Sequence, residues 1–169
     1  MEDLIYCQRD IPKEQWRYGF RSSAATGCGW IATYNALRLM GYPAEPETII
    51  AEYERQLPLI HGNAGTSILA PAVYFMRHGF RVEYLSRRDR FDEVAKRSDV
   101  SIVYYWWRSG WKCGAHFVAV SHTEKGFVGY NTYRSSTGPD FYGDSLDGFL
   151  KRRKYFGAVL IGIRKKQYT

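Results

Sequence analysis

The sequence lacks the features of a disulfide-stabilised or metal-binding protein. Its 169 residues contain three cysteines, Cys7, Cys28 and Cys113, without a CxxC motif. None of the histidine and cysteine spacings is typical of a zinc site. An odd number of dispersed cysteines indicates free thiols and a reducing compartment. We therefore expect no disulfide framework, no metal and no cofactor.

Long apolar segments are also missing. The longest strongly apolar runs cover residues 100–107 and 156–163, far short of the roughly 20 residues that span a bilayer. The first residues combine neither a basic segment nor an apolar one, as a signal peptide would. We expect a cytoplasmic protein with no membrane span.

Acidic residues are in the minority, with 17 Asp and Glu against 24 Lys and Arg and a net charge of +7. The basic residues are concentrated in residues 87–90, 151–154 and 164–166. Such runs are typical of solvated helix faces and tails. The alternative is an acidic partner, either nucleic acid or an acidic peptide. Because no aromatic side chains are interleaved with the basic runs, nucleic acid is the less favoured partner.

The length of the chain predicts one domain over residues 1–169 with a core of its own. We divide it into an irregular N-terminal arm (1–21), a mainly helical half (22–79) and a mainly β half (80–169). Helices followed by a mostly antiparallel sheet define the fold class α+β. We expect the two halves to face each other across a cleft.

The elements follow from hydrophobic spacing and turn residues. Spacing of three to four residues predicts helices over 28–40, 46–57 and about 66–78. Shorter helices are predicted over 89–98 and 145–151. Alternation and β-branched residues predict strands over 80–85, 100–107, 115–121, 127–130 and 156–164. The third helix is expected to start at a cap on Thr66 or Ser67 and to end before Gly79. Residues 58–65 and 132–143 are predicted to be loops.

Cys28 is the first candidate for chemistry, because it stands between Gly27 and Gly29 where a predicted helix starts. The glycines would let the backbone turn sharply beside a substrate. The positive end of a helix dipole would favour the thiolate. The alternative is a cysteine buried in the core, a common role for free cysteines.

A cysteine nucleophile needs a base, and that base needs a group that orients its ring. Of the four histidines, His61, His78 and His122 lie in a loop, a helix end and a turn, whereas His116 opens a strand. Asn131 ends the next strand. Since that strand forms a hairpin with the histidine strand, the two residues are expected to be neighbours. A structural histidine and a turn asparagine are the alternatives.

Together these residues resemble papain-like cysteine peptidases. The resemblance is carried by residues 26–30 (TGCGW) at a helix start, residues 114–120 (GAHFVAV) on a strand, and Asn131 after the next strand. Residues 65–67 (GTS) and 79–80 (GF) also resemble the small bacterial bacteriocin-processing peptidases that cut double-glycine leader peptides. The resemblance implies a papain-like fold and a Cys28–His116–Asn131 triad.

Two positions depart from the family pattern. Six residues before the cysteine the family usually has a glutamine that donates to the oxyanion hole, and here that residue is Ser22. The shorter hydroxyl leaves the arm residues Gln15 and Gln8 as further candidates for this donor. The aspartate–proline pair that usually follows the second catalytic strand is also absent, which keeps Asp140 as a distant alternative to Asn131.

The sequence therefore predicts a cysteine hydrolase that cleaves a peptide or amide bond through a thioester, with a peptide or protein as its substrate. The alternatives are an acyl or amide transferase on the same fold and a catalytically silent papain-like module that only binds a peptide. Trp106, Trp107 and Trp111 are candidates to line the cleft, with core packing as their alternative role.

Overall fold

A computed structural model of the protein describes residues 4–56 and 66–165 and confirms the α+β class. The helices are α1 (Ser23–Thr26), α2 (Cys28–Leu39), α3 (Pro46–Gln56), α4 (Ala70–Arg77), α5 (Phe91–Arg97) and α6 (Leu146–Arg152). The strands are β1 (Arg17–Tyr18), β2 (Arg21–Ser22), β3 (Arg81–Leu85), β4 (Val100–Ser109), β5 (Lys112–Thr123), β6 (Gly126–Tyr130), β7 (Asp140–Gly143) and β8 (Tyr155–Arg164). None of the helices in the described ranges is long and apolar enough to cross a membrane.

Strands β3 to β8 form one sheet in the order β3-β8-β4-β5-β6-β7, in which every neighbouring pair is antiparallel. Both faces are covered. Ile102 and Phe117 pack with α2, α3 and α4, whereas Val103 and Val118 pack with α5 and α6. Successive strand residues point to opposite faces, so β4 needs apolar side chains at nearly every position. Its nearly continuous apolar run, interrupted only by Ser101 within residues 100–107, follows from this double burial.

The third helix begins later than predicted. Thr66 and Ser67 do not cap it; α4 starts at Ala70 after Leu69, with Pro71 in its first turn. A proline fits there because the first helical N–H groups have no partner within the helix. The end was predicted correctly, since Gly79 has a φ of +82°. The predicted loop over 58–65 lies outside the described residues.

Two β features of the six-stranded sheet were missing from the sequence-based prediction. Strand β5 begins at Lys112 and forms a tight hairpin with β4, in which Gly110 has a φ of +60°. Strand β7 lies within the predicted polar loop and pairs with β6 at the sheet edge. It is only four residues long, too short for its alternation to be recognised.

The N-terminal arm is more ordered than predicted. It contains a 3₁₀ turn over Gln8–Asp10 and the two-stranded β1–β2 hairpin. Tyr18 is fully buried, and Cys7 and Ile11 are almost fully buried. The arm therefore contributes to the core and brings residue 8 to the start of α1 and the end of β6, as described below.

Candidate active site

Cys28 is the first residue of α2. Gly27 and Gly29 do not make the sharp turn that was predicted, since Gly27 has a φ of −81° and Gly29 lies within the helix. Both positions are instead tightly packed. A Cβ on Gly27 would lie 2.6 Å from the Ser23 carbonyl oxygen, and one on Gly29 would collide with the side chain of Thr66. The glycines let the start of α2 approach its neighbours closely.

The thiol of Cys28 is partly exposed and lies against β5. Burial among protein atoms raises the pKa of Cys28, and hydrogen bonds from the backbone of Phe117 and Gly29 offset part of that rise. Burial thus outweighs the helix N-terminus that was expected to favour the thiolate. Phe117 directly follows His116 in β5, so the sulfur lies next to the backbone that carries the candidate base.

His116 is held by the backbone of Asn131. The Nε2 atom of His116 lies 2.6 Å from the Asn131 carbonyl oxygen. A carbonyl oxygen only accepts hydrogen bonds, so Nε2 carries the proton and donates it. In the neutral ring the other nitrogen, Nδ1, is then an acceptor. This is the protonation state that a general base requires.

Burial lowers the pKa of His116 to about 4, because burial disfavours the charged ring. The positive charges of Arg153 and Arg134 also lower this pKa, whereas the hydrogen bond to the Asn131 carbonyl raises it. The ring also contacts Tyr105 edge-on, with centroids 6.2 Å apart. His116 is therefore neutral at neutral pH.

The sequence suggested that Asn131 orients the histidine through its side chain. In the structure the backbone carbonyl of Asn131, and not its side chain, contacts the His116 ring. The β5–β6 register pairs Ala119 with Tyr130, so Asn131 lies just beyond the last pair. There the backbone turns into the left-handed region, with a φ of +63°. The Asn131 side chain binds Gln8: Oδ1 accepts from the Gln8 backbone N–H at 2.8 Å, and Nδ2 lies 3.5 Å from Gln8 Oε1.

Cys28 and His116 line one cleft of about 1500 Å³, together with Asn131, Ser22 and Gln8. We call it the Cys28 cleft. Within residues 4–56 and 66–165 no hydrogen bond joins the Cys28 sulfur to the His116 ring. Candidate bases and nucleophiles are often farther apart in unliganded sites than during the reaction. The two groups thus line the same cleft without a hydrogen bond between them.

The candidate oxyanion donors differ in position. Gln8 lines the Cys28 cleft, and its Nε2 donates to the Ala24 carbonyl at 3.0 Å, which leaves one of its two protons uncommitted. Ser22 also lines the cleft, and its hydroxyl makes no capping bond to α1. Gln15 is exposed in a turn and is not among the residues that line the cleft.

The other candidates have different partners. Asp140 accepts from the Ser136 hydroxyl at 2.6 Å. His78 lies 2.9 Å from Glu52, and His122 is exposed beside the ring of Phe127. His61 lies outside the described residues. Asp140, His78 and His122 do not line the Cys28 cleft.

Several residues of the Cys28 cleft were not assigned to a site from the sequence. Trp107 and Trp111 line it, as one interpretation had suggested, whereas Trp106 packs against Tyr104 in the core. The cleft is also lined by basic residues, including Arg134 and Arg153. The basic run over 151–154 was visible in the sequence, but its position beside the cysteine was not.

Within residues 4–56 and 66–165, neither a group of metal ligands nor the smaller cleft on α3 and α4 competes with this site. Across the part of the chain that the structure describes, no three His, Cys, Asp or Glu side chains are grouped as metal ligands. A smaller cleft of about 680 Å³ on α3 and α4 is lined by Glu47, Thr48, Ala51, Glu52, Arg55 and Arg77. None of these six described residues is a cysteine or a histidine.

No protein-family model and no curated protein matches the chain. Among solved structures, the chain is similar to the peptidase domain of Streptococcus ComA, a bi-functional ABC transporter involved in a quorum-sensing pathway. The similarity covers 84% of this chain and 93% of that domain, with a TM-score of 0.54 and 15% sequence identity. At this identity the match shows the fold. The protein thus has the papain-like peptidase fold that its sequence resemblance implied.

Proposed function

We propose that the protein is a cysteine hydrolase that cleaves a peptide or amide bond through a thioester on Cys28. The hydrogen bond between His116 Nε2 and the Asn131 carbonyl carries this proposal. It leaves Nδ1 free to accept a proton in the same cleft as the thiol. Papain-like folds host other activities as well, so the proposal rests on this geometry and not on the fold alone.

The reaction begins when a substrate enters the cleft and the neutral His116 takes the Cys28 thiol proton on Nδ1. The thiolate attacks the substrate carbonyl carbon, and a carbon–sulfur bond forms as the carbonyl oxygen becomes an oxyanion. His116 then returns the proton to the leaving amine, and the carbon–nitrogen bond breaks. A water molecule, deprotonated by His116, attacks the thioester. Collapse of this second intermediate releases the acid and restores the thiol.

Both partners are neutral before substrate binds, since the pKa of Cys28 is raised and that of His116 is lowered. Proton transfer is thus coupled to binding or attack and does not precede it as a stable ion pair. Asn131 acts through its backbone carbonyl, which keeps the proton on Nε2. The backbone N–H of Gln8 helps to position Asn131 by donating to its side-chain Oδ1.

The covalent intermediate is the direct test of this proposal. When the wild-type protein is mixed with a digest of bacterial proteins, mass spectrometry of the intact protein after acid quench should detect acyl groups on Cys28. Sequencing of the digest should find new peptide termini. Hydroxylamine should convert the acyl groups to hydroxamates, because it attacks thioesters.

The same experiment separates the alternatives. If an added primary amine appears in the products as a new amide in place of the free acid, the protein is an acyl transferase. If peptides bind to the cleft but neither acyl-Cys28 nor cleavage is detected, the protein is a peptide-binding module and the proposal of hydrolysis is wrong.

We assign the oxyanion donors to the Cys28 backbone N–H and the uncommitted Nε2 proton of Gln8. Gln8→Ala should lower kcat/KM by about a hundredfold or more, which is typical of the loss of one oxyanion donor. Ser22→Ala should change it by less than about threefold, and the matched control Gln15→Ala should have no effect, since Gln15 does not line the cleft. A large loss in Ser22→Ala with a small one in Gln8→Ala would move the assignment to Ser22.

A further inference from the structure

Basic residues from several separate segments line the Cys28 cleft. Arg9 and Lys13 come from the N-terminal arm, Lys112 from the β4–β5 hairpin and Arg134 from the segment after β6. All four side chains are exposed. No aspartate or glutamate of the described residues lines the same cleft. The cations thus converge on one cavity from different parts of the chain.

The basic run that ends α6 completes this lining with Arg152, Arg153 and Lys154. Their hydrogen-bond partners are neutral. Arg152 donates to the Tyr142 carbonyl at 2.8 Å, and Arg153 Nε donates to the Tyr105 hydroxyl at 3.2 Å. These contacts orient the guanidinium groups but do not neutralise their charge.

Several basic residues on the outer surface, unlike the described basic residues that line the Cys28 cleft, form ion pairs with carboxylates. Lys151, the residue before this run, contacts Asp147 at 2.7 Å. Arg97 contacts Glu83 at 2.6 Å, and Arg88 contacts Asp147 at 3.2 Å. Within the described ranges, none of the basic residues that line the Cys28 cleft has a carboxylate partner. Because a cleft lined by one sign of charge concentrates its field, the missing counter-charge is best supplied by the ligand.

This field reaches the candidate base. The positive charges of Arg153 and Arg134 both lower the pKa of His116. An anion bound between them would remove that effect and make the imidazole a stronger base. Binding of an acidic ligand would then also favour the transfer of the thiol proton.

We propose that the substrates are acidic peptides, whose carboxylates bind the basic residues around Cys28. This inference deepens the proposed hydrolase function and rests on it. A peptide is favoured over a nucleic acid because the proposed reaction forms a thioester on Cys28, and a thioester requires an acyl carbon, which a phosphodiester backbone lacks. The aromatic side chains of Trp107 and Trp111 would contact the apolar parts of such a peptide.

Binding can be measured without turnover in the Cys28→Ala variant by fluorescence anisotropy. The probes are a fluorescein-labelled peptide with four glutamates among glycines and alanines, the same peptide with glutamines, and an oligodeoxythymidylate of equal charge. At about 0.05 M salt the glutamate peptide should bind at least about tenfold more tightly than the glutamine peptide. The difference should shrink at about 0.5 M salt, because the Debye length then falls to a few ångströms.

Charge-neutralising variants locate the binding surface. Arg134→Gln combined with Lys154→Gln, in the Cys28→Ala background, should weaken binding of the glutamate peptide by about tenfold. Lys151→Gln is the matched control, since Lys151 is also exposed on α6 but pairs with Asp147. It should bind as the parent does, within about twofold. Circular dichroism melts of each variant show whether the fold is retained.

A second measurement follows His116 directly. In the Cys28→Ala protein the signals of the His116 imidazole should titrate near pH 4 without ligand and at a higher pH when the glutamate peptide is saturating. Equal binding of the glutamate and glutamine peptides, or equal binding by the double variant and its parent, would overturn the proposal. Tighter binding of the oligodeoxythymidylate would overturn it in favour of a nucleic acid. Binding of the glutamate peptide with no acyl-Cys28 in the wild type would refute the hydrolase but leave the acidic preference intact.

Discussion

Replacement of Cys28 with alanine is expected to abolish peptide cleavage, with a fall in kcat/KM of about 10⁴-fold or more. The proposed reaction runs through a bond to the Cys28 sulfur, and alanine offers no atom that can form it. The substitution removes one partly exposed sulfur at the start of α2 and leaves the helix intact. We therefore expect the melting temperature to change little. Product formation and acyl-enzyme mass are the measurements.

Cys113→Ser is the matched control for the loss of a thiol. Cys113 is an exposed cysteine near the start of β5 that also lines the Cys28 cleft, and we assign it no part in the reaction. This variant should keep wild-type activity within about twofold and should still accumulate the acyl group on Cys28. Full activity in Cys28→Ala would show that the thiol is structural and that the proposed function is incorrect.

Substitution of His116 with glutamine should lower kcat/KM by about 10²–10⁴-fold, the usual contribution of a positioned general base. Glutamine keeps a polar group that can reach the Asn131 carbonyl but cannot take up the thiol proton. The remaining activity depends on spontaneous ionisation of Cys28, whose pKa is raised by burial. The rate of the variant should thus rise about tenfold per pH unit through neutral pH, because only the thiolate reacts.

The wild type should respond to pH differently. Since the pKa of His116 is lowered to about 4, the neutral base stays populated as the pH falls from 7 and is lost only near pH 4. The alkaline limb reflects ionisation of the Cys28 thiol and should lie above the ordinary thiol pKa of about 8.5. A profile of kcat/KM against pH tests both limbs. An acid limb near the ordinary histidine pKa of about 6.5 would contradict the neutral resting pair.

His122→Gln is the control for this experiment. His122 lies near the other end of β5, is exposed and contacts only the ring of Phe127 among the described aromatic residues. The variant should keep both the rate and the pH profile of the wild type. If His122→Gln lost as much activity as His116→Gln, the loss would reflect damage to β5 and not the removal of a base.

Local sequence patterns were sufficient for the elements that carry the candidate catalytic residues. Helix α2 was predicted within one residue at its end, because its apolar residues recur at helical spacing before Gly41. The hairpin of β5 and β6 was predicted from two alternating segments around a polar turn. The start of α4 was wrong because Thr66 and Ser67 look like caps, whereas the helix begins only at Ala70.

The contact between His116 and Asn131 was anticipated only in part. A hairpin predicts that the two residues are near each other, but not which Asn131 atom reaches the ring. That depends on the β5–β6 register and on the left-handed backbone of Asn131. The binding of Gln8 to Asn131 joins residues 123 positions apart, which no local pattern encodes.

The sequence by itself determined the order of the longer helices and strands, the residues available for chemistry and the excess of basic side chains, because these follow from composition and short-range periodicity. Tertiary structure alone decided the electrostatics. It placed the basic residues of the arm, the β4–β5 hairpin and α6 around one cleft to which no described residue contributes a carboxylate. It also surrounded Cys28 and His116 with enough protein to keep both neutral. Charge and burial depend on distances between residues far apart in the chain, and folding sets those distances.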